Sequence, residues 1–160
     1  VLIVADWKAA EVRGITHFAQ SKNFIKVFNE NGDPHLMTAR NLVNARMFSE
    51  DQLKTAARNA GKIVNFATPY NITATSLAKK FSPEIPVNVS QKFLDTYFDD
   101  NPEIFHYLRR TKEFVNEKRY LRLVSGQWVY FSESEYTDNR ACNFPIQGLI
   151  GCLSKLVKPD

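Results

Sequence analysis

The sequence predicts an α+β fold that is predominantly helical, and three observations carry this. Apolar residues recur at helical spacing through most of the chain from Glu11 to Lys118, and a β-branched apolar run, Val1-Leu-Ile-Val, opens it. Two short alternating runs, Tyr120 to Val124 and Gln127 to Phe131, meet across Ser125-Gly126 as a hairpin would. At 160 residues the chain has the length of one compact domain with a single core.

Val1 to Asp6 is expected as a buried strand, because its apolar residues continue without alternation, and it delivers a carboxylate at its C-terminal end. It has no lead-in, as though the chain had been cut. From Glu11 to Phe28, Val12, Ile15, Phe18 and Ala19, with Ile25 and Phe28 beyond, keep helical spacing, and Asn31-Gly-Asp-Pro34 is a turn. A second helix is expected over His35 to Val43. Ser49 caps the acids Glu50 and Asp51, and a helical pattern runs from there to about Thr68. Gly61 weakens that helix by about 1 kcal/mol relative to Ala. Pro69 would clash with the Asn65 carbonyl, so the helix ends or kinks near Thr68. A short helix over Asn71 to Phe81, a loop over Ser82 to Pro86, and amphipathic helices over Val89 to Phe98 and Pro102 to Lys118 come next. Phe144-Pro145 opens a last helix, with proline in its first turn, that stops at Pro159.

Lys and Arg number 21 against 17 Asp and Glu, a net charge of +4 that permits a phosphate-bearing partner without requiring one. Cys142 and Cys152 have no histidine at metal-ligand spacing, which argues against a disulfide framework and against zinc. The opening run is too short for a signal sequence, and no stretch approaches about 18 apolar residues. A soluble protein of the cell interior with no membrane partner is expected. No P-loop, zincin or nucleophile-elbow pattern occurs.

Arg58, Lys62, Phe66 and Tyr70 recur every fourth residue, so at about 100° per residue two cations and two rings lie along one side of a helix. Singly, the cations read as a solvated face and the rings as core. Together they suit a polyphosphate with a stacked base. Asp6 is the hard oxygen ligand that Mg²⁺ takes when it bridges a carboxylate to substrate phosphates, although for an Asp standing alone a helix cap is the simpler reading. His35, after the Asp33-Pro34 turn, is either a phosphate donor or a structural histidine. The basic residues from Arg109 to Arg122 are interrupted by Glu113 and Glu117 and read as a solvated helix face.

In this order the segments resemble the family A DNA polymerases. Val4-Ala-Asp6-Trp-Lys-Ala-Ala-Glu11-Val-Arg13 is similar to the family's first palm motif, and Asp33-Pro-His35 with Thr38-Ala39 to the helix pair after it. Arg58 through Tyr70 resembles the fingers helix, and Asn143-Phe-Pro-Ile-Gln147-Gly148 the palm motif at the primer-template minor groove. The resemblance implies a fragment of a right-hand polymerase fold. Residues 1–13 would be a palm strand with the first catalytic motif, 14–137 the fingers, with the nucleotide-binding helix about 50–68 and the hairpin about 120–131, and 138–160 a palm helix.

It also implies roles by position. Asp6 would bind both Mg²⁺ ions of the complete enzyme, with the Trp7 carbonyl as a further ligand, and Glu11 would reject a ribose 2′-OH. Arg58, Lys62 and His35 would hold the triphosphate, with Arg58 and Lys62 sharing the catalytic duty of Asp6. Phe66 would pack on the sugar and discriminate against dideoxynucleotides, Tyr70 would hold the templating-base stacking position, and Asn143 and Gln147 would read minor-groove acceptors. Primer-template DNA and deoxynucleoside triphosphates are the implied partners, in the cytoplasm of a bacterial or phage-infected cell.

Departures from the pattern are visible. Lys8 and Ala9 replace the usual Ser and Gln, Ala67 and Asn71 replace two habitual glycines, and Pro69 puts the position of Tyr70 in question. Gln127-Trp128 replaces arginines, and Cys152 an Asp. The family's His-Asp-Glu motif does not occur before Asp160, so a chain or segment supplying it and a thumb is an expected partner, and the 160 residues alone are expected not to polymerise. The alternatives are a non-catalytic nucleotide- or nucleic-acid-binding remnant and a piece of a single-subunit RNA polymerase, against which Glu11 argues.

Overall fold

The computed structural model describes residues 7–132 and 138–156, so the expected opening strand and Asp6 lie outside the described residues. The described residues are mainly helical, with one small sheet. Helices α1 (Ala10–Ala19) and α2 (Lys22–Asn29) replace the single expected run from Glu11 to Phe28. The break falls at Gln20, in the left-handed region at φ 57°, and at Ser21, which is fully buried and donates to Asn101 Oδ1 at 3.3 Å. Apolar spacing carries no trace of this break, because the partner stands far along the chain.

Helix α3 (Pro34–Asn44) begins where expected, with Pro34 in its first turn and the Asp33 carboxylate as its cap. The Ser49 cap signal is genuine but closes only one 3₁₀ turn, Glu50–Gln52, in which the Ser49 amide donates to Gln52 Oε1 at 3.1 Å. The chain then turns again, setting Leu53 against Ala39 and Ala57, and α4 starts only at Ala56. It ends at Ala67, and Pro69 sits in a following 3₁₀ turn, Thr68–Tyr70, as its lack of an amide hydrogen favours. A short α5 (Ala74–Ala78), capped by Thr73, occupies the middle of the helix expected over Asn71 to Phe81.

Helices α6 (Val87–Asp100) and α7 (Pro102–Lys118) lie as expected. Strands β1 (Tyr120–Arg122) and β2 (Trp128–Tyr130) pair antiparallel, Leu121 opposite Val129, with Gly126 at φ 84° in the turn. The last helix, α8 (Asp138–Leu156), corrects the expectation: it starts before Phe144, and Pro145 lies in its interior. An interior proline costs about 3 kcal/mol. Burial of Ala141 against Val115 and Phe131, and of Cys142 and Ile146 in the main core, draws the preceding turns into the helix despite it.

The main core gathers Val12 and Ile15 of α1, Leu42 of α3, Val64 of α4, Tyr97 of α6, Leu108 of α7 and Ile146 of α8. It therefore ties α4, which carries Arg58, Lys62 and Phe66, to α1, α3 and α8, which carry residues of the other three resemblance motifs. Among the described residues no helix is long and apolar enough to cross a membrane.

Candidate nucleotide site

The site rests on the crossing of α3 and α4. Gly61 permits that crossing: a Cβ built there would stand 2.6 Å from the His35 carbonyl oxygen. Close approach brings Asp33, His35 and Thr38 of the α3 start against Arg58, Lys62 and Asn65 of α4.

Asp33 Oδ1 accepts from the amides of His35 at 2.9 Å and Leu36 at 3.3 Å, while Oδ2 accepts from Arg58 Nε at 2.8 Å. One carboxylate thus caps α3 and orients the arginine. Partial burial opposes ionisation of Asp33, but the Arg58 hydrogen bond and the two amides outweigh it and hold the carboxyl below its ordinary range. Asp33 takes Nε, and among the described residues the two terminal nitrogens of Arg58 make no hydrogen bond, a fork that suits an oxyanion.

His35 is buried, with 8% of its surface exposed. Burial disfavours its cation, the charges of Arg58 and Lys62 add to that, and Asp33 opposes them; the result is a pKa below the ordinary histidine value. Its ring lies 5.4 Å from that of Phe66, and Lys62 Nζ lies 5.8 Å from the Phe66 centroid. Lys62 is exposed and has no ion-pair partner among the described residues.

Glu11, Lys62, Phe66 and Tyr70 line one cleft of about 660 Å³, to which α8 contributes Asn139. Three members of the row, Lys62, Phe66 and Tyr70, thus share a cleft with Glu11, while Arg58 is not part of its lining. Tyr70 reaches the cleft through the 3₁₀ turn, so Pro69 shortens α4 without removing the fourth member of the row. The Tyr70 hydroxyl accepts from Gln147 Nε2 at 3.4 Å. The Asn139 carboxamide, with its nitrogen toward them, donates to the carbonyls of Tyr70 at 2.9 Å and Asn71 at 3.2 Å.

Asn71, which replaces a glycine of the resemblance, adopts φ 49° and ψ 50°, the conformation that glycine tolerates best and asparagine next. Lys112 Nζ donates to its Oδ1 at 3.0 Å. Ala67, at φ −81° and ψ −33°, needs no glycine.

Two further expected site residues are not in the lining of this cleft, and a third lies outside the described residues. Asn143 sits on α8 one turn before Gln147, its Oδ1 enclosed and without a partner among the described residues. Trp7 donates from Nε1 to Ser154 Oγ at 3.1 Å and lines a separate hollow between α1 and α8. Asp6 is not among the described residues, which contain no cluster of three metal-capable side chains. Sequence reasoning missed Asp33, Asn65 and Asn139 as site residues. Asn65 left a signal, a polar residue on the buried stripe of α4 with Ala57, Gly61 and Val64; Asn139 left none.

A cation, two rings and a carboxylate thus line one cleft in a mainly helical fold. The sequence matches the model of DNA polymerase family A over residues 1–155, and the chain belongs to that family. It is 28% identical over 164 residues to the thermostable DNA polymerase I of Thermus aquaticus, covering 98% of this chain and 19% of the relative. Identity to DNA polymerase I of Rhizobium leguminosarum is 27% over 155 residues, covering 92% of this chain and 15% of the relative. The chain thus spans about a fifth of the length of the Thermus relative. The POL domain of Pol1 from M. smegmatis, solved with DNA primer-template and dNTP, superposes with a TM-score of 0.79 at 23% identity, covering 94% of this chain and 27% of that one. The fold is that of part of a polymerase domain.

Proposed function

We propose that this chain selects and holds the incoming deoxynucleoside triphosphate in a DNA-directed DNA polymerase, working on a primer-template duplex. The observation that carries the reading is that Glu11, Lys62, Phe66 and Tyr70, drawn from two separate motifs, line one cleft beside the Arg58–Asp33 pair and His35.

In this reading the terminal nitrogens of Arg58 and the Lys62 ammonium take phosphate oxygens, and His35 adds a hydrogen bond. These groups stabilise charge on the transferring phosphoryl group and on the pyrophosphate that leaves. Phe66 packs on the sugar, Glu11 closes the space a 2′-OH would need, Tyr70 stands where the templating base stacks, and Asn143 and Gln147 test the minor-groove edge of the new pair. The Asp6 carboxylate and Trp7 carbonyl are hard oxygen donors, which suits Mg²⁺. Bound there, Mg²⁺ would lower the charge barrier to attack by a primer 3′-OH. A second carboxylate and a thumb would come from another chain or segment, and these 160 residues alone would not extend a primer. The setting would be the cytoplasm of a bacterial or phage-infected cell.

Primer extension by this chain, alone and with a chain carrying the remaining palm and thumb of a family A polymerase, tests the reading. Extension only in the mixture, abolished by Asp6→Asn, supports it. Tight dNTP binding with no extension in any mixture would favour a non-catalytic binding module.

A further inference from the structure

Asn65 is fully buried in the middle of the row, and none of the proposed nucleotide contacts uses it. Its Nδ2 donates to the Pro34 carbonyl at 3.1 Å and lies 3.1 Å from His35 Nδ1, while its Oδ1 accepts from Thr38 Oγ1 at 3.0 Å. A carbonyl oxygen only accepts, so Pro34 fixes which end of the carboxamide is nitrogen. The second hydrogen on that nitrogen then points at His35 Nδ1, which must offer a lone pair. The imidazole proton is left on Nε2, which has no hydrogen-bond partner among the described residues.

We propose that Asn65 is a positioning residue that locks His35 as the neutral Nε2–H tautomer, making it a directional hydrogen-bond donor to the triphosphate rather than a third cation beside Arg58 and Lys62. The inference rests on the proposed nucleotide reading for what His35 touches, but not for the tautomer itself. A protonated His35 would set an N–H against the Asn65 amide, a donor facing a donor with no room for water between them. The charged groups facing the ring act in both directions. Arg58 and Lys62 on α4 disfavour the cation, Asp33 at the start of α3 favours it, and burial decides in favour of the neutral ring. The arrangement also spares the site the repulsion of three clustered positive charges when no nucleotide is bound.

The test is long-range ¹H–¹⁵N correlation spectroscopy of histidine-labelled full chain, with free histidine in the same buffer as the reference. The expected result is the Nε2–H pattern for His35 near neutral pH, persisting to lower pH than the free imidazole stays neutral. An Nδ1–H pattern, or titration alongside free histidine, would overturn the proposal without any variant having to fold. Asn65→Asp, which offers only acceptors, is expected to move the proton to Nδ1 and raise the pH at which the ring charges; an unchanged ring would count equally against the lock. Titration with dGTP then separates the two levels. His35→Ala and Asn65→Leu should each weaken binding about tenfold, the loss of one hydrogen bond to a charged group, and the double variant should be no weaker than the weaker single. Additive losses would overturn the coupling. An intact tautomer with no change in affinity would uphold the lock and instead overturn the assignment of His35 to the phosphates.

Discussion

Gly61 and His35 touch through their backbones: a Cβ at position 61 would lie 2.6 Å from the His35 carbonyl oxygen and 3.0 Å from the Ala39 amide nitrogen. Neither neighbour is a flexible side chain, so α3 and α4 would have to part. On helix propensity alone, Gly61→Ala stabilises by about 1 kcal/mol. The contact reverses the sign, and a net loss of about 1–3 kcal/mol is expected, the usual range for overpacking. Denaturant unfolding checks it, and unchanged or increased stability would refute the close crossing. Nucleotide affinity should fall as well, because the same shift separates His35 from Arg58 and Lys62.

Asp33 performs two tasks that substitution can divide. Asp33→Asn keeps a good cap for α3 but loses the ion pair to Arg58, whereas Asp33→Ala loses both. The cap is worth about 1 kcal/mol and the half-exposed pair less than about 1 kcal/mol, so the alanine variant should be clearly the less stable. Because the folded carboxyl titrates below its unfolded counterpart, its contribution is full above the unfolded pKa and fades as pH falls through the lower folded value. The wild type should thus lose stability on acidification through that window more steeply than Asp33→Asn does. Equal slopes from about pH 5 down would show that Asp33 is not the group responsible.

Asn71 makes the departure from glycine tolerable, and its side chain adds a contact glycine lacks. Asn71→Gly should be nearly neutral, relief of the left-handed backbone offsetting loss of the Lys112 hydrogen bond. Asn71→Ala keeps the strain and loses the bond, and should cost about 1–2 kcal/mol in thermal or chemical unfolding. Should the alanine variant prove as stable as the glycine one, the backbone account is wrong.

Glu11 and Phe66 face the same cleft. In the complemented polymerase Glu11→Ala should admit ribonucleotides, scored by alkali-sensitive product. Phe66→Tyr should raise acceptance of dideoxynucleotides, scored by chain termination. If neither changes while overall extension persists, these side chains do not contact the sugar.

The row of Arg58, Lys62, Phe66 and Tyr70 is legible in sequence because helical geometry is local: residues four apart must share a side. The turn before α3, the Pro69 break and α7 are legible for the same reason. Three features are not. The break at Ser21 depends on Asn101, the early start of α8 depends on Val115 and Phe131, and Gly61 reads as a helix defect until α3 is laid against it. Each is a meeting of residues far apart in the chain, which short-range periodicity cannot register.

Local backbone preference and side-chain chemistry suffice for the helical character of the chain, the ends of α3 and α7, and the alignment of two cations and two rings along one stretch of chain. Tertiary packing alone sets Glu11 in one cleft with Lys62 and Phe66, Asp33 against Arg58 Nε, and the Asn65 carboxamide against the His35 ring. Those relationships exist because burial of a shared core forces α1, α3, α4 and α8 together, and the polar groups trapped at their crossings must then satisfy one another.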